Sequence, residues 1–184
     1  PNPDYDEADR LLRQAIKADP TPPEPHVERG KLLATTPGRP GEAADEWRAA
    51  VALNANDPLA FRRLGETLLE NGAPESAVDA FNRALRIQPD SHEAHHGLAT
   101  AYLALGRLDD AEREERRALE LANGNYTLAL VGLGDILRER ALYDDAIAQY
   151  NAALERDATL PQAYLGLGRT AMRRGNADIA IGHF

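Results

Sequence analysis

The sequence contains no cysteine, which removes disulfide frameworks, thiolate nucleophiles and thiolate-rich zinc sites from consideration. Serine is almost as scarce. The only two, Ser76 and Ser91, sit where local signals place helix starts, so neither resembles the elbow of a serine nucleophile. Aromatic residues make up 5% of the chain, and Val, Ile and Thr are thinly spread among abundant Ala and Leu, a composition that favours helix over sheet. No apolar run approaches the roughly 18 residues that cross a bilayer, so direct membrane insertion is not expected. Lysine and arginine form no cluster interleaved with aromatics, and the formal net charge is −9 with a pI near 5.0. A polyanion meets net repulsion, and nucleic acid is excluded as an expected partner.

What the chain does have is a period. The stretches beginning at Ala60, Ala94 and Ala129 share one pattern: a small residue after Leu in a first helix, a break near Gly or Ala, then a second helix with Ala and, seven residues on, Ala-Leu. Equivalent positions recur every 34 or 35 residues. When the unit is numbered from the start of its first helix, position 8 reads Gly30, Gly65, Ala99, Gly134 and Gly168. Position 20 reads Ala8, Ala43, Ala77, Ala111, Ala146 and Ala180, and position 27 reads Ala15, Ala50, Ala84, Ala118 and Ala153. Small side chains at these slots are what closely approaching helices require. Position 24 is the opposite, holding Leu12, Trp47, Phe81, Glu115, Tyr150 and Phe184, large knobs with one charged exception. Position 7 holds Leu64, Leu98, Leu133 and Leu167, with Arg29 breaking the series.

This pattern resembles the tetratricopeptide repeat, a helix–turn–helix unit of 34 residues. The resemblance implies an all-α fold, a right-handed superhelical solenoid of antiparallel helix pairs with about five repeats. The register predicts one array over 1–184. A second helix of a truncated repeat comes first (1–22), full repeats follow at 23–57, 58–91, 92–126 and 127–160, and an incomplete repeat (161–184) stops mid-helix. Solenoids carry polar caps, and neither end reads as one, so the register predicts a window cut from a longer array. Boundary chemistry agrees with helix pairs: Asp57-Pro58 as cap and first residue, Ser91 as a cap, and Gly72, Gly106 and Gly175 in tight turns. The Pro- and Gly-rich turn from Ala34, about a residue longer than the others, is expected to protrude, and the added residue in the stretch from Ala122 is expected to bend the stack.

Three of the five histidines, His92, His95 and His96, fall within five residues. His92 and His96 share a helical face, the spacing with which metal sites begin, but no third ligand accompanies them, and no metal or other cofactor is expected. His95 falls at position 4, a core slot that His26 occupies in an earlier repeat. Glu115, on the charged stretch EREERR, is expected to turn outward into i,i+4 pairs such as Glu112–Arg116, while its slot raises the alternative of an ion pair with His95. The carboxylate pairs Asp109-Asp110 and Asp144-Asp145 open second helices, where they complement the helix dipole. The acids and bases are spread along an array and do not converge, so the chain is not expected to be an enzyme.

In the family that the chain resembles, ligands bind the concave face through first-helix positions 2, 5, 9, 12 and 13. Those slots hold Val27 and Lys31, then Leu59, Arg62, Glu66 and Leu69. Next come Glu93, His96, Thr100 and Leu103, then Leu128, Val131, Asp135 and Arg138, then Gln162, Leu165, Arg169, Met172 and Arg173. The family's Lys/Asn clamp for a terminal carboxylate is missing, and so is an asparagine ladder for extended backbones. An apolar floor that becomes basic at Arg169 and Arg173 suits a protein or peptide ligand, either an amphipathic helix or an extended segment with apolar anchors and an acidic end. The resulting expectation is a bacterial protein–protein interaction scaffold. Two alternatives stand beside it: a substrate-recognition or presenting arm of a larger enzyme or secretion or assembly protein, and self-association through uncapped ends.

Overall fold

A computed structural model describes residues 3–175, with the side chain of Pro3 excepted; Ala180 and Phe184, assigned to repeat slots above, lie outside them. Among the described residues all regular structure is helical. The chain is an all-α helical-repeat solenoid that divides into two compact units, Pro1–Pro89 and Asp90–Phe184. The first unit contains α1 (Pro3–Ala18), α2 (Glu24–Ala34), α3 (Pro40–Leu53), α4 (Pro58–Glu70) and α5 (Pro74–Ile87). Here α2 packs on α3 and α4 on α5, with α1 against α2 and α3 against α4. The second unit contains α6 (His92–Ala104), α7 (Leu108–Leu121), α8 (Thr127–Glu139), α9 (Tyr143–Arg156) and α10 (Pro161–Arg173). Its hairpins α6/α7 and α8/α9 are followed by α10, and α8 touches both α6 and α10.

Each helix starts and stops where the local chemistry directs. The Asp57 carboxylate accepts from the Ala60 N–H at 3.0 Å, and the Ser91 hydroxyl accepts from the Ala94 N–H at 3.2 Å, each satisfying a first-turn donor. Proline opens α3, α4, α5 and α10, where its missing N–H costs nothing. Three hairpin turns close with the same hydrogen bonds. Ala73 N–H reaches Leu68 C=O at 2.9 Å, Arg107 N–H reaches Tyr102 C=O at 2.9 Å, and Leu142 N–H reaches Leu137 C=O at 2.9 Å. This motif needs a left-handed residue just before the donor, supplied by Gly72 (φ 69°) and Gly106 (φ 71°). In the third turn the slot holds Ala141, whose φ is 60°. The long turn after α2 is solvent-exposed at Thr35, Pro37 and Gly38, while Arg39 folds back to bond Asp9 and Glu42. In the stretch after α7, Asn123 (φ 52°) and Gly124 (φ 77°) both take left-handed backbone.

The core is built from knobs seated on glycines. Trp47, Phe81 and Tyr150 are almost wholly buried. A methyl group on Gly30 would lie 2.8 Å from the Trp47 ring, and one on Gly65 would lie 2.8 Å from the Phe81 ring. Tyr150 meets glycine from two helices, Gly134 of α8 and Gly166 of α10, both against the Cδ1–Cε1–Cζ edge of the ring. Ala146, Ala153 and Ala163 complete this cluster with Leu130, Leu160 and Leu167.

Arg29, the residue out of series at position 7, is buried and saturated with carboxylates. Its Nε donates to Asp9 at 2.6 Å, one terminal nitrogen bonds Glu46, and the other reaches Glu42 at 3.3 Å. Asp9 also accepts from Arg13 and Arg39. Burial alone would push the Asp9 carboxyl up, but the three guanidiniums outweigh it and hold it well below the aspartate range. An ion cluster thus does on α2 what leucine does at the equivalent slot of α4, α6, α8 and α10.

Two stability changes follow. Ala141→Gly relieves left-handed strain and is expected to raise stability by about 0.5–1 kcal/mol, the relief exceeding the added chain entropy. Gly134→Ala is expected to cost about 1–3 kcal/mol by overpacking, because the Tyr150 ring is wholly buried and its hydroxyl is tied to Asp135. Urea unfolding midpoints at constant m-value check both.

Candidate functional site

The first helices carry the candidate site, and the two units offer it separately. In the first unit, Val27 of α2 is half-buried, and Lys31 is exposed and bonded to Glu28 at 2.7 Å. On α4, Leu59 is exposed, while Arg62 bonds Glu66 of its own helix at 2.5 Å and Leu69 is half-buried. The arginine and glutamate expected to offer separate charges here largely satisfy each other.

In the second unit α6 presents exposed Glu93 and Thr100 and half-buried His96 and Leu103, the Thr100 hydroxyl donating to its own helix at His96 C=O, 3.0 Å away. On α8, Leu128 is half-buried, whereas Val131 and Arg138 are buried. The Arg138 guanidinium donates to Asp135 at 3.0 Å and to Glu139 at 2.7 Å, and Asp135 also accepts from the Tyr150 hydroxyl at 2.9 Å. Burial, with the Asp135 charge beside it, pushes the Tyr150 phenol up, so it remains a donor. Asp135 and Arg138 therefore brace α8 to the knob of α9 from beneath the face. On α10, Gln162, Leu165, Arg169, Met172 and Arg173 are all exposed.

The histidines resolve into pairs that differ from both expectations for Glu115. Glu115 is only 1% exposed: the carboxylate does not turn to solvent, and its partner is His96, at 2.9 Å, not His95. His95 instead meets Glu114 at 2.8 Å. The reason is a glycine. Gly132 of α8 lacks the side chain that would occupy the space of the Glu115 carboxyl, so the knob slot accepts a glutamate pointing inward. His92 and His96 both set their edges against the Tyr126 ring, with centroids 4.8 and 5.5 Å apart. Among the described residues no group of three His, Cys, Asp or Glu side chains is arranged to hold a metal ion.

A recurrence that sequence reasoning missed appears here. His26 at position 4 bonds Glu46 at position 23 with 2.7 Å between them, and His95 bonds Glu114 at the same two positions. Where position 4 is Phe61 or Leu130, position 23 is Ala80 or Gln149. The signal was present in the sequence as a matched change at two slots.

Burial pushes the Glu115 carboxyl up despite the His96 hydrogen bond, with Asp135 adding to the rise. A raised carboxyl pKa contributes stability that is complete below the ordinary glutamate range and is lost as pH climbs through the raised value. Glu114 runs the other way. The His95 hydrogen bond holds it low, so its contribution is present above the ordinary glutamate range and is lost as pH falls through the lowered value. Glu115→Gln removes the first titration and keeps the shape, and is expected to flatten the fall in thermal midpoint as pH rises above the ordinary glutamate range. Parallel melts of the two proteins over that rise in pH check this.

The fold and site define the class: an all-α helical-repeat protein whose first helices present apolar and charged side chains. Three family models described as tetratricopeptide repeat or TPR repeat match residues 32–92, 68–133 and 134–175, and the chain belongs to the tetratricopeptide repeat family. It is 31% identical over 100 residues to a peroxisomal targeting signal receptor of Kluyveromyces lactis, a match covering 53% of this chain and 18% of the receptor. The chain therefore spans under a fifth of the length of that relative. Among solved structures, a tetratricopeptide repeat protein from Parabacteroides merdae superposes with a TM-score of 0.84 at 20% identity, covering 98% of this chain and 71% of that one. YrrB, described as a TPR protein with an unusual peptide-binding site, superposes with a TM-score of 0.64 at 24% identity, covering 94% and 88%. At such identities these structures speak for the fold. Among the described residues no helix is long and apolar enough to cross a membrane.

Proposed function

We propose that the chain is a non-catalytic interaction scaffold that binds a segment of a partner protein on its first-helix faces. The observation that carries this reading is the exposure of large apolar side chains there, Leu59 at 45%, Leu165 at 37% and Met172 at 59%, among charged neighbours on otherwise well-packed helices. Three of the histidines are spent on joining helices: His26, His95 and His96 each hold a glutamate of the following helix. Membership of a family of interaction modules supports the same reading.

A second reading, a recognition arm of a larger protein, draws support from the small fraction of the receptor that the match covers. It uses the same faces. Self-association and an absence of nucleic-acid partners belong to this proposal too, the latter on the net charge of −9.

The test is site-directed photo-crosslinking in cell extract, with the crosslinker placed at Leu59, Leu165 or Met172 and, as controls, at Arg83 or Arg156 of second helices. Crosslinks to one and the same protein from the first-helix positions, with none from the controls, is the expected result. Capture from the second helices alone would place the interaction elsewhere and overturn the assignment.

A further inference from the structure

The exposed face of α10 has a definite pattern. Leu165, Arg169, Met172 and Arg173 lie at i, i+4, i+7 and i+8, hence on one side of the helix, along a strip of about 12 Å. Its apolar residues stand two turns apart with a cation between them and another at the end. Charge on this strip is unbalanced. Among the described residues Arg169 makes no ion pair. Among the same residues Arg173 pairs only with Glu139, at 3.3 Å, and that carboxylate is already held by Arg138 at 2.7 Å. The other acid nearby on α8, Asp135, is committed to Arg138 and to the Tyr150 hydroxyl. Arg138 and Arg173 thus share Glu139 while Arg169 pairs with no carboxylate among the described residues, a local positive surplus on a chain of net charge −9.

We infer that this strip docks an acidic amphipathic helix of a partner protein, one with apolar residues at i, i+3 or i+4, and i+7 and with glutamates or aspartates one turn apart on the flank that meets Arg169 and Arg173. This rests on the proposed function and names the chemistry of the partner. Complementarity of charge selects the acidic flank. Backbone satisfaction selects the helix. An extended segment brings unpaired N–H and C=O groups that the receiving surface must satisfy. This face offers donors in Arg169 and Arg173 but few acceptors: Asp135 is held by two partners, Glu139 by two arginines, and the Thr100 hydroxyl is turned to its own helix, which leaves mainly the exposed Gln162 amide. A helix arrives with its backbone already bonded and needs only side-chain complements. A long polyanion would feel the field of the whole chain, whereas a short acidic segment meets the local surplus.

The test measures fluorescence anisotropy of three labelled, alanine-based peptides against the full chain. One has leucines at i, i+3 and i+7 with flanking glutamates. The second replaces the glutamates by lysines, and the third keeps the acidic composition but carries central prolines that forbid a helix. The acidic helical peptide is expected to bind at least about ten-fold more tightly than either other. Arg169→Glu with Arg173→Glu is expected to weaken it by about ten-fold and to favour the lysine peptide, with helix content unchanged by circular dichroism. Equal binding of the acidic and basic peptides, equal binding of the proline peptide, or no effect of the double variant each overturns the inference. If Leu59 or Arg62 substitutions abolish binding while α10 substitutions do not, the inference fails and the scaffold reading survives. Binding indifferent to every first-helix substitution defeats both.

Discussion

A bulky side chain seated on a glycine sets the spacing of the helices, and much else follows from that contact. Trp47 rests on Gly30, Phe81 on Gly65, and Tyr150 on both Gly134 and Gly166. The ring fills the space that a side chain on the facing helix would need, so the backbone approaches closely and the knob is sealed from water. The alanines at neighbouring slots, buried without exception from Ala43 to Ala163 in the two cores, allow the same approach along the rest of each hairpin. Because both large and small partners are specified, neither can change alone without a cavity or a clash.

Fixing the packed sides of a helix decides which residues are left for other work. On α8 the packing claims Val131 and draws Arg138 and Asp135 into bracing Tyr150, so this helix contributes little reach toward a partner. On α10 the residues at the corresponding positions, Leu165, Arg169, Met172 and Arg173, stay exposed. The first-helix slots are therefore unequal in the structure, although the repeat lays them out as equivalent.

The repeat itself was legible in the sequence because its small and large slots recur at a fixed period, and each recurrence is a separate witness to the same contact. The sites were legible only in outline. Glu115 is instructive: its helix reads as a solvated run of charge, and nothing local says that the glutamate turns inward. What turns it is the absence of a side chain at Gly132, on another helix, combined with an imidazole at His96. Arg29 failed in the same way, since its burial depends on Asp9, Glu42 and Glu46 converging from two other helices. Periodicity reports what every repeat shares; it is silent on exceptions that are settled between particular pairs. The His26–Glu46 and His95–Glu114 pairs were readable in principle, as matched substitutions at positions 4 and 23, but only once the contact between those slots was known.

Those two matched pairs bear on how such a chain finds its own fold. Helices built to one pattern are nearly interchangeable, and a first helix that nucleates early has several second helices able to cover it. Errors of this sort are a characteristic hazard of repeat proteins. His26 and His95 make the choice unequal. An imidazole set against Ala80 would forfeit a half-buried hydrogen bond, one set against Gln149 would exchange a carboxylate for a neutral amide, and Glu46 or Glu114 packed on Phe61 or Leu130 would bury a carboxylate against hydrocarbon. The histidine–glutamate pairs are a mark shared by two hairpins within a repeated text, keeping α3 and α7 from closing hairpins with α4 and α8, and α2 and α6 from closing them with α5 and α9.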